Sequence, residues 1–146
     1  MKVLFICKGN YFRSQMAAAI YNRLTETEGA VSVGTYPGAP EEPEGQVLVN
    51  LFETDDFFNL MEKNGMNVRA NTTKRLHPQM LKDFDIVVSM AEEPYIPDFL
   101  KNDQKVIRWN VEDSVRVDKK AAEDTYKKIE PLVRELIKEH NLKTLT

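Results

Sequence analysis

The sequence predicts an α/β fold: one domain over residues 1–146, a four-stranded parallel sheet as the middle of three layers, with helices on both faces. Three observations carry this. Four short apolar runs of strand length occur at Lys2–Ile6, Ala30–Gly34, Asp85–Met90 and Lys105–Trp109. The first is continuously apolar, as a strand covered on both faces is. Segments with apolar residues at helical spacing alternate with these runs, and that alternation implies parallel strands joined by right-handed crossovers. A chain of 146 residues is long enough to bury roughly two-thirds of its unfolded surface in one core.

In chain order, the strand at Lys2–Ile6 is followed by a helix over Gln15–Leu24. Met16, Ala17, Ile20, Tyr21 and Leu24 recur at helical spacing, and the alanines Ala17, Ala18 and Ala19 suit close packing on a sheet. Polar residues from Thr25 and a glycine at position 29 supply its stop. After the strand Ala30–Gly34, the prolines and glycine of Tyr36–Pro43 mark a loop. Glu44–Lys63 reads as helix from Val47, Leu48, Leu51 and Phe52, then Phe57, Phe58, Leu60 and Met61, with Thr54-Asp55-Asp56 as a break or fresh N-cap. The phenylalanines here read as core, with a recognition lip as the alternative. Gly65–Leu76 reads as loop with a short extended piece, and His77–Leu81 as a short helix with proline near its start. His77 reads as a cap or surface residue. The third strand, Asp85–Met90, leads through a stretch bearing Pro94 and Pro97 to the fourth, Lys105–Trp109, and a loop over Asn110–Ser114. A long amphipathic helix over Asp118–Glu139 closes the chain, with Ala122, Tyr126, Ile129, Val133, Leu136 and Ile137 as its inward stripe.

The most informative stretch is Cys7-Lys8-Gly9-Asn10-Tyr11-Phe12-Arg13-Ser14, which joins the first strand to the first helix. A helix start presents unpaired N–H groups and positive potential, so a strand, loop and helix in this order hold an anion. A thiol placed there gives up its proton more readily, and a guanidinium matches two oxygens of a phosphate-like group. Each residue has a plainer reading alone: Cys7 as a small core residue, Arg13 as a surface charge, Gly9 and Asn10 as turn residues. The C-x5-R-S spacing between strand and helix makes the joint reading, a nucleophile and an anion clamp on one N-terminal phosphate-binding loop, the better one. In a parallel sheet the ligand lies beyond the carboxyl ends of the strands. Cys7 falls at that edge, and so does Asp113 after the fourth strand.

Composition excludes other classes. The formal net charge of −3 argues against a nucleic-acid or anionic-membrane binder. No apolar run approaches the roughly 20 residues of a bilayer span, and the N-terminal run reads as a strand with no leader-type cleavage site behind it. One cysteine and two histidines leave no internal disulfide and no metal cluster. The expectation is a cytoplasmic protein without a metal or other cofactor, its oligomeric state open.

The Cys7–Ser14 loop after Lys2-Val3-Leu4-Phe5-Ile6 resembles the phosphate loop of low-molecular-weight protein tyrosine phosphatases, whose fold arsenate reductases share. Val33-Gly34-Thr35, Asn64–Val68, Asp85–Met90 and Trp109–Asp113 resemble further segments of that family. The resemblance implies a cysteine-dependent phosphomonoester hydrolase acting on a phosphotyrosine protein or a small aryl phosphate through a phosphocysteine intermediate. Cys7 would be the nucleophile. The N–H groups from Lys8, Gly9, Asn10, Tyr11 and Phe12 to Arg13, with the Arg13 side chain, would hold the oxygens. Ser14 would donate to the sulfur, Asn10 would brace a left-handed turn, and Asp113 would be the general acid, with Glu112 and Asp118 as rivals. The chain departs from the family in four places. Ser114 follows the acid where proline is typical, Phe12 stands where many members carry a second cysteine, and Gln15 replaces a proline at the helix start. Val115-Arg116-Val117 lacks the aromatics common after the acid, so Tyr11 and the 36–60 region are expected to wall the substrate pocket. A single cysteine excludes a thioredoxin-linked arsenate reductase. A reductase using an external thiol and a catalytically weak oxyanion-binding domain are the alternatives.

Overall fold

The computed structural model describes residues 1–36, 44–114 and 116–144. Val115 and most of the loop expected after Tyr36 lie outside them. Strands β1 (Val3–Cys7), β2 (Ala30–Gly34), β3 (Ile86–Ser89) and β4 (Ile107–Arg108) form one parallel sheet in the order β2-β1-β3-β4. β1 is central, with Cys7 opposite Gly34 and Ile6 opposite Ser89. Val3, Leu4, Phe5 and Ile6 have no exposed surface, so the continuously apolar run is a two-sided core strand. Alternate residues serve the two faces. Val3, Phe5 and Cys7 pack with helices α1 (Arg13–Thr25), α2 (Asp56–Lys63) and α5 (Lys119–Thr144). Leu4 and Ile6 pack with Leu81 and Leu100 of the short helices α3 (Met80–Asp83) and α4 (Asp98–Lys101). The expected three layers are present.

Element ends differ from the sequence reading for local reasons. α1 begins two residues early because the Met16 N–H closes a turn on Phe12 O at 2.9 Å. It stops before Gly29, on Glu26 in the left-handed region (φ 53°), where the Glu26 and Thr27 N–H groups bond back to Arg23 O and Asn22 O. The continuous helix expected over Glu44–Lys63 is absent. Residues 46–49 instead run antiparallel to 69–73: Val47 bridges Thr72, and the Leu48 and Val49 N–H groups donate to Asn71 O and Arg69 O. Those donors are then spent outside any helix, and only a single 3-10 turn, Leu48–Asn50, forms. α2 starts at Asp56, the last residue of the expected break, with Asp55 at its N-cap position. α3 begins after His77–Gln79 rather than at His77. No helix among the described residues is long and apolar enough to cross a membrane.

Candidate active site

The strand order reverses direction of growth at β1, with β2 on one side and β3 then β4 on the other. A crevice therefore opens at the carboxyl end of β1, and the Cys7–Ser14 loop occupies it. β2 passes close beneath this loop. A Cβ on Gly34 would stand 2.7 Å from Lys8 O and 3.0 Å from Asn10 Cβ, so glycine is required there by close approach.

Cys7 is buried and receives two hydrogen bonds on sulfur: the Asn10 N–H donates at 3.3 Å, and Ser14 Oγ lies 2.9 Å away. The direction of the second follows from its neighbours. The Lys74 N–H donates to Asn10 Oδ1 at 2.7 Å, so the other end of that amide, Nδ2, is the one that donates to Ser14 Oγ at 2.9 Å. Ser14 accepts that bond, and its own hydrogen is left to point at the sulfur. Asn10 has φ 58°, the left-handed turn expected of it. Among the described residues the backbone N–H groups of Gly9, Tyr11 and Phe12 have no protein acceptor, as a loop built to receive an anion requires. The Phe12 side chain leaves the loop for the core and meets Phe57 edge-on at 5.1 Å.

Arg13 is 2% exposed and ties the loop to the ends of β3 and β4. Its Nη1 donates to Met90 O (2.7 Å), Glu92 Oε2 (2.9 Å) and Val111 O (3.0 Å), and Nη2 donates to Glu92 Oε1 (3.3 Å). Asp113 Oδ1 stands 3.6 Å from Nη2 and accepts the Ser114 N–H at 3.0 Å. Burial opposes the guanidinium charge, but Cys7, Glu92 and Asp113 outweigh it and raise the Arg13 pKa. The structure thus brings Cys7, Arg13, Ser14 and Asp113 together. The two rivals differ from Asp113: Asp118 caps α5 by accepting the Ala121 N–H at 2.8 Å, and Glu112, exposed like Asp113, makes no contact with Arg13.

One cleft borders the loop and a second lies along the ends of β3 and β4. The first, of about 420 Å³, is lined by Gly9, Tyr11, Leu51, Phe52, Arg116 and Val117, with Tyr11 edge-on to Phe52 at 5.9 Å. Tyr11 and part of the 36–60 region therefore form an apolar wall beside the loop. Burial, then Asp113 and Cys7, push the Tyr11 phenol up. The other cleft, about 580 Å³, runs past Glu92, Trp109 and Asp113. Phe57 and Phe58, in contrast to Phe52, are core. Among the described residues no cluster of three or more His, Cys, Asp or Glu could hold a metal ion.

Sequence reasoning missed Glu92, although, like Asp113, it is a carboxylate that follows a strand and so falls at the carboxyl edge of the sheet. It also missed Tyr95, whose ring lies 4.0 Å under the Lys8 ammonium and 5.7 Å from Tyr36; contacts between distant loops leave no spacing signal.

Comparison with known proteins places this arrangement. The sequence model described as low molecular weight phosphotyrosine protein phosphatase matches residues 2–145. The search of curated proteins found no match. Among solved structures, the YwlE arginine phosphatase from Geobacillus stearothermophilus superposes with a TM-score of 0.77 at 18% identity, over 99% of this chain and 95% of that one. A low molecular weight protein tyrosine phosphatase from T. tengcongensis gives 0.73 at 23% identity, over 95% and 99%. A thioredoxin-dependent arsenate reductase from Corynebacterium glutamicum gives 0.68 at 22% identity, over 97% of this chain and 62% of that one. At these identities the structures speak to the fold alone, and they agree with the α/β fold described above. The family's sequence model matches nearly the whole chain: this chain belongs to the low molecular weight phosphotyrosine protein phosphatase family of hydrolases.

Proposed function

We propose that the protein, acting as one domain, hydrolyses aryl phosphomonoesters, phosphotyrosine in a protein or a small aryl phosphate, through a phosphocysteine intermediate. The observation that carries this is the pair of hydrogen bonds converging on Cys7 Sγ from Asn10 and Ser14, at the floor of a loop with outward N–H donors. Cys7 attacks phosphorus, forming the S–P bond as the P–O bond to the leaving group breaks. The loop N–H groups and Arg13 hold the three non-bridging oxygens as their charge redistributes. Asp113 gives its proton to the leaving oxygen and then takes one from the water that cleaves the S–P bond. The Ser14 hydroxyl stabilises the departing thiolate, and the Tyr11, Leu51 and Phe52 wall receives the aromatic ring.

A second reading, oxyanion binding with weak turnover, is favoured by one observation. Asp113 Oδ1 faces Arg13 Nη2 and accepts the Ser114 N–H, so only Oδ2 is left to carry a proton to a leaving group. Steady-state hydrolysis of an aryl phosphate by wild type, Cys7→Ser and Asp113→Asn separates the two. The expected result is an active wild type, an inert Cys7→Ser, and a fall in kcat for Asp113→Asn of roughly 10²–10⁴, largest with poor leaving groups. An inert wild type that binds vanadate would establish the second reading. Because one structural relative is an arginine phosphatase, phosphoarginine is the informative counter-substrate; a preference for it over phosphotyrosine would overturn the aryl assignment.

A further inference from the structure

We propose that Gln15 is a positioning residue: its carboxamide ties the phosphate loop to residues 71–72 and so holds Asn10 in the conformation from which it serves Cys7. This inference rests on the reading of the loop as the oxyanion site of a thiolate phosphatase.

Gln15 is 2% exposed, and its polar atoms face away from its own helix. Nε2 donates to Asn10 O at 3.0 Å and to Thr72 O at 3.2 Å, with Asn10 Oδ1 a longer partner at 3.4 Å. Oε1 accepts from Asn71 Nδ2 at 3.1 Å. One side chain thus joins two segments more than fifty positions apart in the chain. A left-handed residue with a Cβ carries a backbone cost, small for asparagine, that its surroundings must offset. Asn10 is held twice, by Gln15 on its carbonyl and by the Lys74 N–H on its side chain. From that pose Asn10 supplies its N–H to Cys7 Sγ and its Nδ2 to Ser14 Oγ. Gln15 is therefore one residue removed from both donors on the sulfur.

The tie reaches the apolar wall as well. Thr72 bridges Val47, and Gln46 and Thr73 exchange backbone and hydroxyl bonds of 2.9 and 3.1 Å. This strip leads into Leu51 and Phe52 beside the loop. A proline at position 15, which the family resemblance would lead one to expect, stiffens the backbone of the helix start but makes none of these bonds. In this chain a side-chain clamp stands in its place.

The test uses the whole chain with Gln15→Leu, Gln15→Glu and Asn71→Ala. Leucine fills the space without hydrogen bonds. Glutamate keeps the shape but sets a carboxylate oxygen against two carbonyls. Asn71→Ala, at an exposed residue, removes only the outer anchor and leaves the fold in place. The readouts are kcat, KM for an aryl phosphate, the orthovanadate dissociation constant and the urea midpoint. For the Gln15 variants, kcat and vanadate affinity are expected to fall about tenfold with KM changed less than about threefold, because the lost geometry belongs to the transition state. Asn71→Ala is expected to move kcat and vanadate affinity in the same direction by about threefold. Folded variants with wild-type kcat and vanadate affinity, altered only in urea midpoint, would show Gln15 to be ordinary core and overturn the proposal. If neither Gln15 variant folds, an unchanged Asn71→Ala does the same. A wild type that binds no vanadate overturns the functional reading itself, which is a different result from an active wild type with silent variants.

Discussion

Arg13 shows how one side chain can hold loops together and also serve the proposed chemistry. A guanidinium carries five N–H donors in a rigid fork, and here Nη1 alone meets two backbone carbonyls and a Glu92 oxygen. The carbonyls follow different strands, so the arginine fastens the segments after β3 and β4 to the Cys7–Ser14 loop while its charge stays beside Cys7. A lysine would keep the charge but could not span these acceptors. Arg13→Lys is therefore expected to lower kcat/KM for an aryl phosphate by roughly 10²–10³, measured by steady-state kinetics alongside vanadate binding. Wild-type kinetics in that variant would mean that charge alone suffices.

At the scale of elements, the Cys7–Ser14 loop keeps its shape because β2 offers it a flat floor. Gly34 lies opposite Cys7 in the sheet and has backbone rather than flexible side-chain atoms above it. Gly34→Ala cannot be absorbed by a rotamer change. It is expected to destabilise the protein by about 1–3 kcal/mol, read as a lower urea midpoint, and to reduce kcat as the Lys8–Asn10 turn is displaced. The 44–63 region makes the complementary point. Its apolar spacing suits a helix, yet pairing of residues 46–49 with 69–73 takes the amide donors a helix would use. The result is an irregular strip that sets Leu51 and Phe52 at the cleft and leaves Phe57 and Phe58 to the core.

Across the molecule, α5 packs along α1 and α2 and closes one face of the sheet. Tyr126 sits at this seam, its hydroxyl donating to Glu130 Oε2 at 3.2 Å. Burial first, then Glu130, push its phenol from 10.0 up to about 12. A group whose pKa is raised by folding contributes stability that is fully present below its unfolded pKa and is lost as pH rises through the folded one. Urea midpoints are thus expected to fall between pH 10 and about 12, and to fall less steeply in Tyr126→Phe, whose side chain carries no proton to lose. Equal slopes in the two proteins would assign the alkaline loss to other groups.

The amino-acid sequence by itself determined the α/β class, the central buried strand, the loop between Cys7 and Ser14, and the inward stripe of the last helix. These rest on local pattern: a continuous apolar run, a 3.6-residue period, and a short spacing between residues that share one loop. Position after a strand put Asp113 at the carboxyl edge of the sheet, and the family resemblance singled it out from Glu112 and Asp118. The tertiary structure alone decided which carboxylates reach Arg13, since Glu92 and Asp113 lie far from it in sequence and their approach depends on strand order. It alone decided that residues 46–49 pair instead of coiling, because hydrogen-bond partners from a distant segment override local helical periodicity. It also decided what Gln15 does. In sequence Gln15 is the absence of a proline; in three dimensions its amide finds Asn10, Asn71 and Thr72, and only chain folding brings those partners within 3.2 Å.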